Sequence, residues 1–353
     1  QLEELGFIGR KAPCESLTRL AEFLTPLQQV PILQHQRFGA FTCSDLQRFH
    51  GEGADAEGYG LFRAAIEAIG PDELLVASDK VDSLLGAIRR VDSVLTANAD
   101  GFRCDYADGP PIDFWKQAID TLRNMSSRKL LLLAEGTRSQ HFSVGFDFNF
   151  GFSFYDQMKK VYQQNQPASS LYAFNNSEYS LAGANQWVVR YITNHDVNSS
   201  DGTPLDLFGG KNGSMAAFVV AAYMKGVPMI YSGQEVGTPF RITFPFTSQN
   251  INWTLNADLV AEHKKIIALR NQHEALRKGT LTTFAHTKAV VFTKNTASET
   301  LLVVSNLKNS EAVVALDATL TGFVWKDAFT GADAGTFTSL TLEPYSYKVF
   351  IKL

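Results

Sequence analysis

Asp100-Gly101-Phe102-Arg103-Cys104-Asp105-Tyr106-Ala107-Asp108 sets an arginine and a carboxylate two residues apart, in a short segment bounded by turn signals. In an extended strand, residues i and i+2 share a face, so Arg103 and Asp105 project together. Asp100-Gly101 opens the segment with a turn, and Gly109-Pro110-Pro111 stops it. A buried charge is costly unless paired, so an Arg beside an Asp reads as a polar site with its counter-charge built in. Taken alone, the pair fits a surface ion pair on an edge strand equally well.

Two later stretches shift that balance. Lys129-Leu130-Leu131-Leu132-Leu133-Ala134-Glu135-Gly136 is a continuous apolar run that ends in a carboxylate and a glycine. Such runs read as parallel strands buried on both faces, with the last residue emerging at the carboxyl end. Trp187-Val188-Val189-Arg190-Tyr191-Ile192-Thr193-Asn194-His195-Asp196 repeats the pattern and closes on Asn-His-Asp. A lone strand-terminal Glu is usually a helix cap or a loop residue, and a lone His-Asp pair is usually structural. Acids at the same end of successive parallel strands point instead to the face on which α/β barrels and open sheets assemble their sites.

With these residues in view, the sequence resembles the α-amylase clan of glycoside hydrolases from about residue 84 to the end. The resemblance rests on four ordered blocks: Gly101-Phe102-Arg103-Cys104-Asp105, Ala134-Glu135-Gly136, Thr193-Asn194-His195-Asp196, and Gly226-Val227-Pro228-Met229-Ile230-Tyr231-Ser232-Gly233-Gln234-Glu235. It implies an α/β fold, a (β/α)8 (TIM) barrel with its eighth strand in the last block. It also implies Asp105 as nucleophile, Glu135 as acid and base, and Asp196 as a third carboxylate that steadies the transition state. Arg103, His195, Tyr106 and Asn194 follow as substrate-binding residues. Phe150, Tyr191 and Gln234 fit subsite lining or packing equally. The implied substrate is an α-1,4-glucan or malto-oligosaccharide; a transglycosylase, an α-1,6-acting relative or a non-catalytic carbohydrate-binding homologue would use much of the same set.

The chain also departs from the clan. An Asp-rich block ending in Asn-His on the third strand, and the inserted domain after it, are not found. The 104 residues before Asp105 are too few for four strands, their helices and an insertion, so a barrel that is incomplete, rearranged or given with segments missing is expected. The clan often binds structural calcium through that Asn-His block, and the Lys-His pair common after the nucleophile is replaced by Gly109-Pro110. Both departures argue against a calcium site, and no other metal site is expected. No glycine-rich phosphate loop follows a strand, so a nucleotide cofactor is not expected either.

The roles suit elementary chemistry. Cleavage with retention needs a nucleophile and an acid about 5–5.5 Å apart. Arg103 keeps Asp105 ionised, as a nucleophile requires, while partial desolvation at the end of an apolar run should raise Glu135 toward the range of an acid at neutral pH.

Composition sets the outer bounds. The chain has 353 residues, 45% hydrophobic content and a formal charge of −4, enough for one large domain and a small second one. There is no basic tract to mark a nucleic-acid partner and no run of 18 apolar residues to span a membrane. Cys14, Cys43 and Cys104 form neither a disulfide framework nor a zinc spacing; one Cys14–Cys43 bridge is open to the sequence but nothing in it supports the pairing, and Cys104 reads as a small buried hydrophobe. The first residue, Gln1, follows neither an initiating Met nor a visible leader. A removed signal, giving a secreted or periplasmic protein, and a start inside the gene both fit, with the former slightly favoured over a cytoplasmic setting.

Along the chain, helical periods cover 16–24, 60–70 and 81–95, short strands fit 30–34 and 39–43, and 51–58 is a loop. Amphipathic helices follow at 111–122 and 155–162 with a strand at 146–150 between them, then a helix apolar on all sides at 214–224 and a final helix over 258–278 closed by Gly279. Beyond Gly279 the period becomes two, and short strands near 284, 289–292, 300–304, 312–315, 323–325 and 345–351 describe an antiparallel β-sandwich. The expected domains are therefore a barrel over 1–279 and a sandwich over 280–353.

Overall fold

The structure is a computed structural model and describes residues 100–125, 130–243 and 249–353. The chain divides into two compact units, Gln1–Asn149 and Phe150–Leu353. The elements expected before residue 100, and a Cys14–Cys43 bridge, lie outside the described residues.

In the first unit, β1 (Gly101–Cys104), α1 (Ile112–Met125), β2 (Leu131–Ala134), α2 (Gln140–Ser143) and β3 (Phe148–Phe150) follow in order. β1 runs parallel to β2 in the register Gly101↔Leu131 to Cys104↔Ala134, and β2 pairs with β3 through Leu133↔Phe148 and Ala134↔Asn149. A Cβ on Gly101 would sit 1.8 Å from the Leu131 carbonyl oxygen, so only glycine lets the two strands meet there. Trp115, Ala118 and Ile119 of α1 pack with Leu130, Leu132, Ala134 and Phe146. Each large side chain buried in this way contributes about 1.5–3 kcal/mol. The leucine run is not buried on both faces as expected: Leu132 and Ala134 are fully buried, whereas Leu131 is 48% exposed. The strand period of two turns alternate leucines away from α1.

The second unit contains α3 (Phe152–Gln163), α4 (Leu171–Glu178), β4 (Trp187–Arg190), α5 (His195–Ser200), α6 (Pro204–Leu207), α7 (Gly210–Tyr223), β5 (Val227–Pro228), α8 (Ala257–Gln272) and α9 (Glu274–Lys278). β4 and β5 are parallel, with Val189↔Val227 and Arg190↔Pro228. α7 is buried continuously from Gly213 to Tyr223, matching its all-round apolar sequence. The expected single final helix is two, because His273 adopts an extended φ of −107° and ψ of 116°. Gly279 has φ −58° rather than a left-handed cap conformation. Crowding explains the glycine, since a Cβ there would lie 2.6 Å from the Ala275 carbonyl oxygen.

Eight strands complete this unit: β6 (Thr280–Phe284), β7 (Ala289–Asn295), β8 (Thr300–Asn306), β9 (Ala312–Ala315), β10 (Trp325–Asp327), β11 (Asp333–Gly335), β12 (Ser339–Leu342) and β13 (Tyr347–Lys352). Six form a sheet in the order β11-β10-β13-β8-β7-β6, and β12-β9 forms a separate ribbon. Val291, Leu302, Trp325 and Phe350 from the sheet share one core with Val314 and Leu342 from the ribbon, as in a sandwich. The strands are tied to the preceding helices by Ser305 Oγ, which donates to the Ala216 carbonyl at 2.8 Å, and by the Tyr172 hydroxyl, which donates to the Phe284 carbonyl at 2.9 Å.

Candidate active site

β1 stops at Cys104, one residue earlier than the sequence pattern places it, so Asp105 sits in the turn that follows. Arg103 still reaches it: Nη1 donates to Asp105 Oδ1 at 2.7 Å. The other guanidinium nitrogen, Nη2, donates to Glu135 Oε1. One guanidinium therefore holds both carboxylates. Glu135 follows β2 directly, and its backbone N–H donates to the Cys104 carbonyl at 2.9 Å, which continues the parallel ladder past the strand ends. Its side chain is only 10% exposed, against 41% for Asp105. Burial, and next the hydrogen bond with the Asp105 carboxylate, push the Glu135 carboxyl up to about 7, although Arg103 and the Tyr106 N–H favour the charged form.

Tyr106 takes a left-handed φ of 42°. Its N–H thereby donates to Glu135 Oε2 at 3.2 Å, while its ring is 43% exposed. Both oxygens of Glu135 thus have a donor. The next residues lock the turn. The Ala107 N–H donates to the Glu135 carbonyl at 2.8 Å. The Ala107 carbonyl accepts from Trp115 Nε1 at 2.8 Å, Arg138 Nη2 at 2.9 Å and His141 Nε2 at 3.0 Å. Asp108 Oδ2 accepts from the Thr137 N–H at 2.7 Å and hydroxyl at 2.8 Å, and Oδ1 from the Arg138 N–H at 3.3 Å and Nε at 3.2 Å. Burial would raise the Asp108 carboxyl, but the Thr137 and Arg138 donors outweigh it and hold it below its ordinary value. Fully buried His141 is pushed below its usual range by desolvation, and its Nε2 proton is spent on Ala107. The sequence pattern does not single out Asp108, Arg138 and His141, because they meet across two turns and the start of α2, where no local period announces the contacts.

In the second unit, Asn194 caps α5: its Oδ1 accepts from the N–H groups of Asp196 at 2.9 Å and Val197 at 2.8 Å. His195 and Asp196 therefore lie in a first helical turn rather than at a strand end. His195 Nε2 is 3.4 Å from Asp196 Oδ1, and the two side chains are 39% and 57% exposed. Asn194 itself is fully buried, and while its Oδ1 caps the helix its Nδ2 has no hydrogen-bond partner among the described residues. Tyr231, just beyond β5, has its hydroxyl raised by burial and then by the Asp196 charge, so the ends of β4 and β5 bring these two groups into one electrostatic environment. Phe150 and Tyr191 are buried and pack together at 5.8 Å between ring centroids. Gln234 is buried against His263, with 3.3 Å between Nε2 atoms. All three are packed within the protein, and the Tyr191 hydroxyl is buried without a hydrogen-bond partner among the described residues.

Among the described residues, neither unit by itself brings together three side chains able to ligate one metal ion. The four lone-pair directions of Asp108, the acid in the turn after Asp105, are already used by protein donors, so this turn does not fit a structural calcium ion.

No family model matches the chain. Alpha-amylase 2 of Dictyoglomus thermophilum is 23% identical over 269 residues, which cover 72% of this chain and 46% of that protein. The α-amylase of Geobacillus thermoleovorans, solved with acarbose, superposes with a TM-score of 0.63 at 16% identity, covering 80% of this chain and 64% of that one. AmyP, solved with maltose, gives a TM-score of 0.58 at 18% identity, covering 71% and 64%. The chain thus spans less than half the length of the curated relative, and slightly under two thirds of the solved ones. The similarity to α-amylases is borne out over most of the chain, and the fold is theirs: a (β/α) barrel followed by an antiparallel sheet domain.

Proposed function

We propose that the chain is the catalytic module of a glycoside hydrolase that cleaves α-1,4-glucosidic bonds of starch or malto-oligosaccharides with retention. The observation that carries this reading is the single Arg103 guanidinium donating to both Asp105 and Glu135, with Glu135 pushed up to about 7. Two carboxyl groups in different environments are what a retaining glycosidase requires: an ionised nucleophile and an acid that holds its proton near neutral pH. Asp105 attacks the anomeric carbon, while Glu135 protonates the leaving oxygen and then, as carboxylate, takes a proton from the water that hydrolyses the glycosyl ester. Asp196 and His195 are assigned to sugar hydroxyls, as the resemblance to the α-amylase clan implies. Residues 280–353 form the appended sandwich domain and supply no catalytic group.

The acarbose and maltose held by the solved relatives support an α-glucan oligosaccharide as substrate. Incubation with maltoheptaose should release shorter maltodextrins, and proton NMR of the first product should show the α-anomer before mutarotation. Release of the β-anomer would exclude retention, and no cleavage of α-1,4 or α-1,6 substrates would favour a carbohydrate-binding protein.

A further inference from the structure

We propose that Asp108 is a positioning residue for the candidate acid: it clasps the turn after β1 onto the turn after β2 and so keeps the Tyr106 N–H on Glu135, an inference that rests on the glycosidase reading above. Tyr106 is the link that needs holding. Its φ of 42° is unfavourable for a side chain with a Cβ, by about 1–2 kcal/mol, and such a conformation persists only where its surroundings over-determine it. The surroundings do so two residues later, where Asp108 accepts four hydrogen bonds from Thr137 and Arg138, the second and third residues after Glu135. The clasp is itself closely fitted. A Cβ on the intervening Gly136 would lie 2.4 Å from His141 Cε1 and 2.8 Å from Asp108 Oδ1, so glycine is required beneath it. On the far side, Asn149 Nδ2 donates to the Arg138 carbonyl at 3.0 Å and anchors the same turn to β3.

The consequence for chemistry is orientation. Arg103 takes one oxygen of Glu135 and the Tyr106 N–H takes the other, so the plane of the carboxyl is fixed from both sides. A proton reaches a glycosidic oxygen efficiently only along one direction, and misplacement by about 1 Å costs on the order of 10²-fold in rate. The hydrogen bonds of Asp108 go to Thr137 and Arg138 rather than to either candidate catalytic acid, so it acts through Tyr106.

The test compares Asp108→Ala and Thr137→Val with the unaltered chain on two substrates, and follows the Tyr106 amide by NMR of protein carrying ¹⁵N-tyrosine. On maltoheptaose, whose leaving group must be protonated, the Asp108→Ala rate should fall by about 10–10²-fold. On α-maltosyl fluoride the glycosylation step needs no acid, and its rate, read as the first-turnover burst of fluoride release, should fall by less than about threefold. The Tyr106 amide shift should follow ionisation of Glu135 near pH 7 in the unaltered chain and lose that dependence in Asp108→Ala. Thr137→Val, which removes one donor and keeps the backbone, should move every readout the same way by less, and it carries the test if Asp108→Ala does not fold. Equal losses on both substrates with the Tyr106 titration intact would overturn the proposal and leave Asp108 a purely structural residue. If the unaltered chain cleaves neither substrate, the glycosidase reading fails, while the amide titration still decides whether Asp108 holds Tyr106 on Glu135.

Discussion

Arg103 and Arg190 each bind a glutamate, yet the two pairs are built for opposite ends. Arg190 is 1% exposed and Glu178 7%. Arg190 also donates to the Asn175 side chain at 3.1 Å and the Lys225 carbonyl at 3.2 Å, and lies 4.0 Å over the Phe154 ring. Glu178 accepts the Phe154 N–H at 2.9 Å with its other oxygen. One positive charge meets one negative charge, and each finds its remaining partners within the protein. Arg103, by contrast, is 32% exposed and faces two carboxylates. A closed, balanced ion pair specifies structure. An open one with an acid too many favours a carboxyl that keeps its proton, and the proposed chemistry draws on that surplus.

The sharpest way to break this comparison is to remove the proton. Glu135→Gln keeps the shape and should lower hydrolysis of maltoheptaose by about 10²–10⁴-fold with oligosaccharide affinity little changed. Asp105→Asn should be equally damaging, but α-maltosyl fluoride should partly rescue glycosyl-enzyme formation in Glu135→Gln alone, since Asp105→Asn has no nucleophile. Identical responses of the two variants to the fluoride would remove the separate roles. The closed pair should answer in the other currency. Arg190→Met strands Glu178 in the interior and should cost about 3–5 kcal/mol of stability, read by denaturant unfolding. Arg103→Met should barely move the unfolding midpoint while abolishing turnover. If the stability losses were reversed, Arg103 would be the structural arginine.

A subtler break uses pH. Glu135 is raised from the ordinary carboxyl value of 4.5 to about 7, so folding favours its protonated form. That contribution to stability is fully present below the unfolded value and is lost as pH rises through about 7. Thermal unfolding of the Glu135→Gln chain should therefore gain on the unaltered one between pH 4.5 and pH 8, and hydrolysis should fall on the alkaline side as the acid loses its proton. A constant difference in unfolding temperature across that range would show that the buried carboxyl is not held protonated.

How much of this was legible in the sequence differs between the two pairs. The acids that follow apolar strands could be read because a strand's end and its side-chain chemistry are both local, and Arg103, Asp105 and Glu135 do meet on one guanidinium. Arg190 and Glu178 are twelve residues apart on a strand and a helix, and nothing in either segment's period announces their pairing. The Asp108 clasp was hidden for the same reason: its partners lie 29 and 30 residues away in another turn. The sandwich was legible where strands are apolar, as in β7 and β8, and missed at β11, whose Asp333-Ala334-Gly335 carries no alternation, and at the short β12. Breaks such as His273 were missed because they are imposed by packing rather than by a breaker residue.

The smallest expected effect concerns Asn194, where the sequence suggested a sugar contact and the structure supplies a cap. α5 is only six residues long, and it carries both His195 and Asp196. With so few hydrogen bonds of its own, its first turn depends on the Asn194 side chain to satisfy the N–H groups of Asp196 and Val197. Asn194→Ala should therefore cost about 1 kcal/mol. Asn194→Ser retains a capping oxygen and should recover most of that loss, and if capping is the whole role of this residue, its KM for maltoheptaose should stay within about twofold. The pair of variants separates the two roles, since serine can cap but cannot reach as far as an amide. A KM raised tenfold or more in Asn194→Ser, at unchanged unfolding midpoint, would mean that the amide reaches substrate, and the helix-capping account of this residue would have to yield to the one the sequence first suggested.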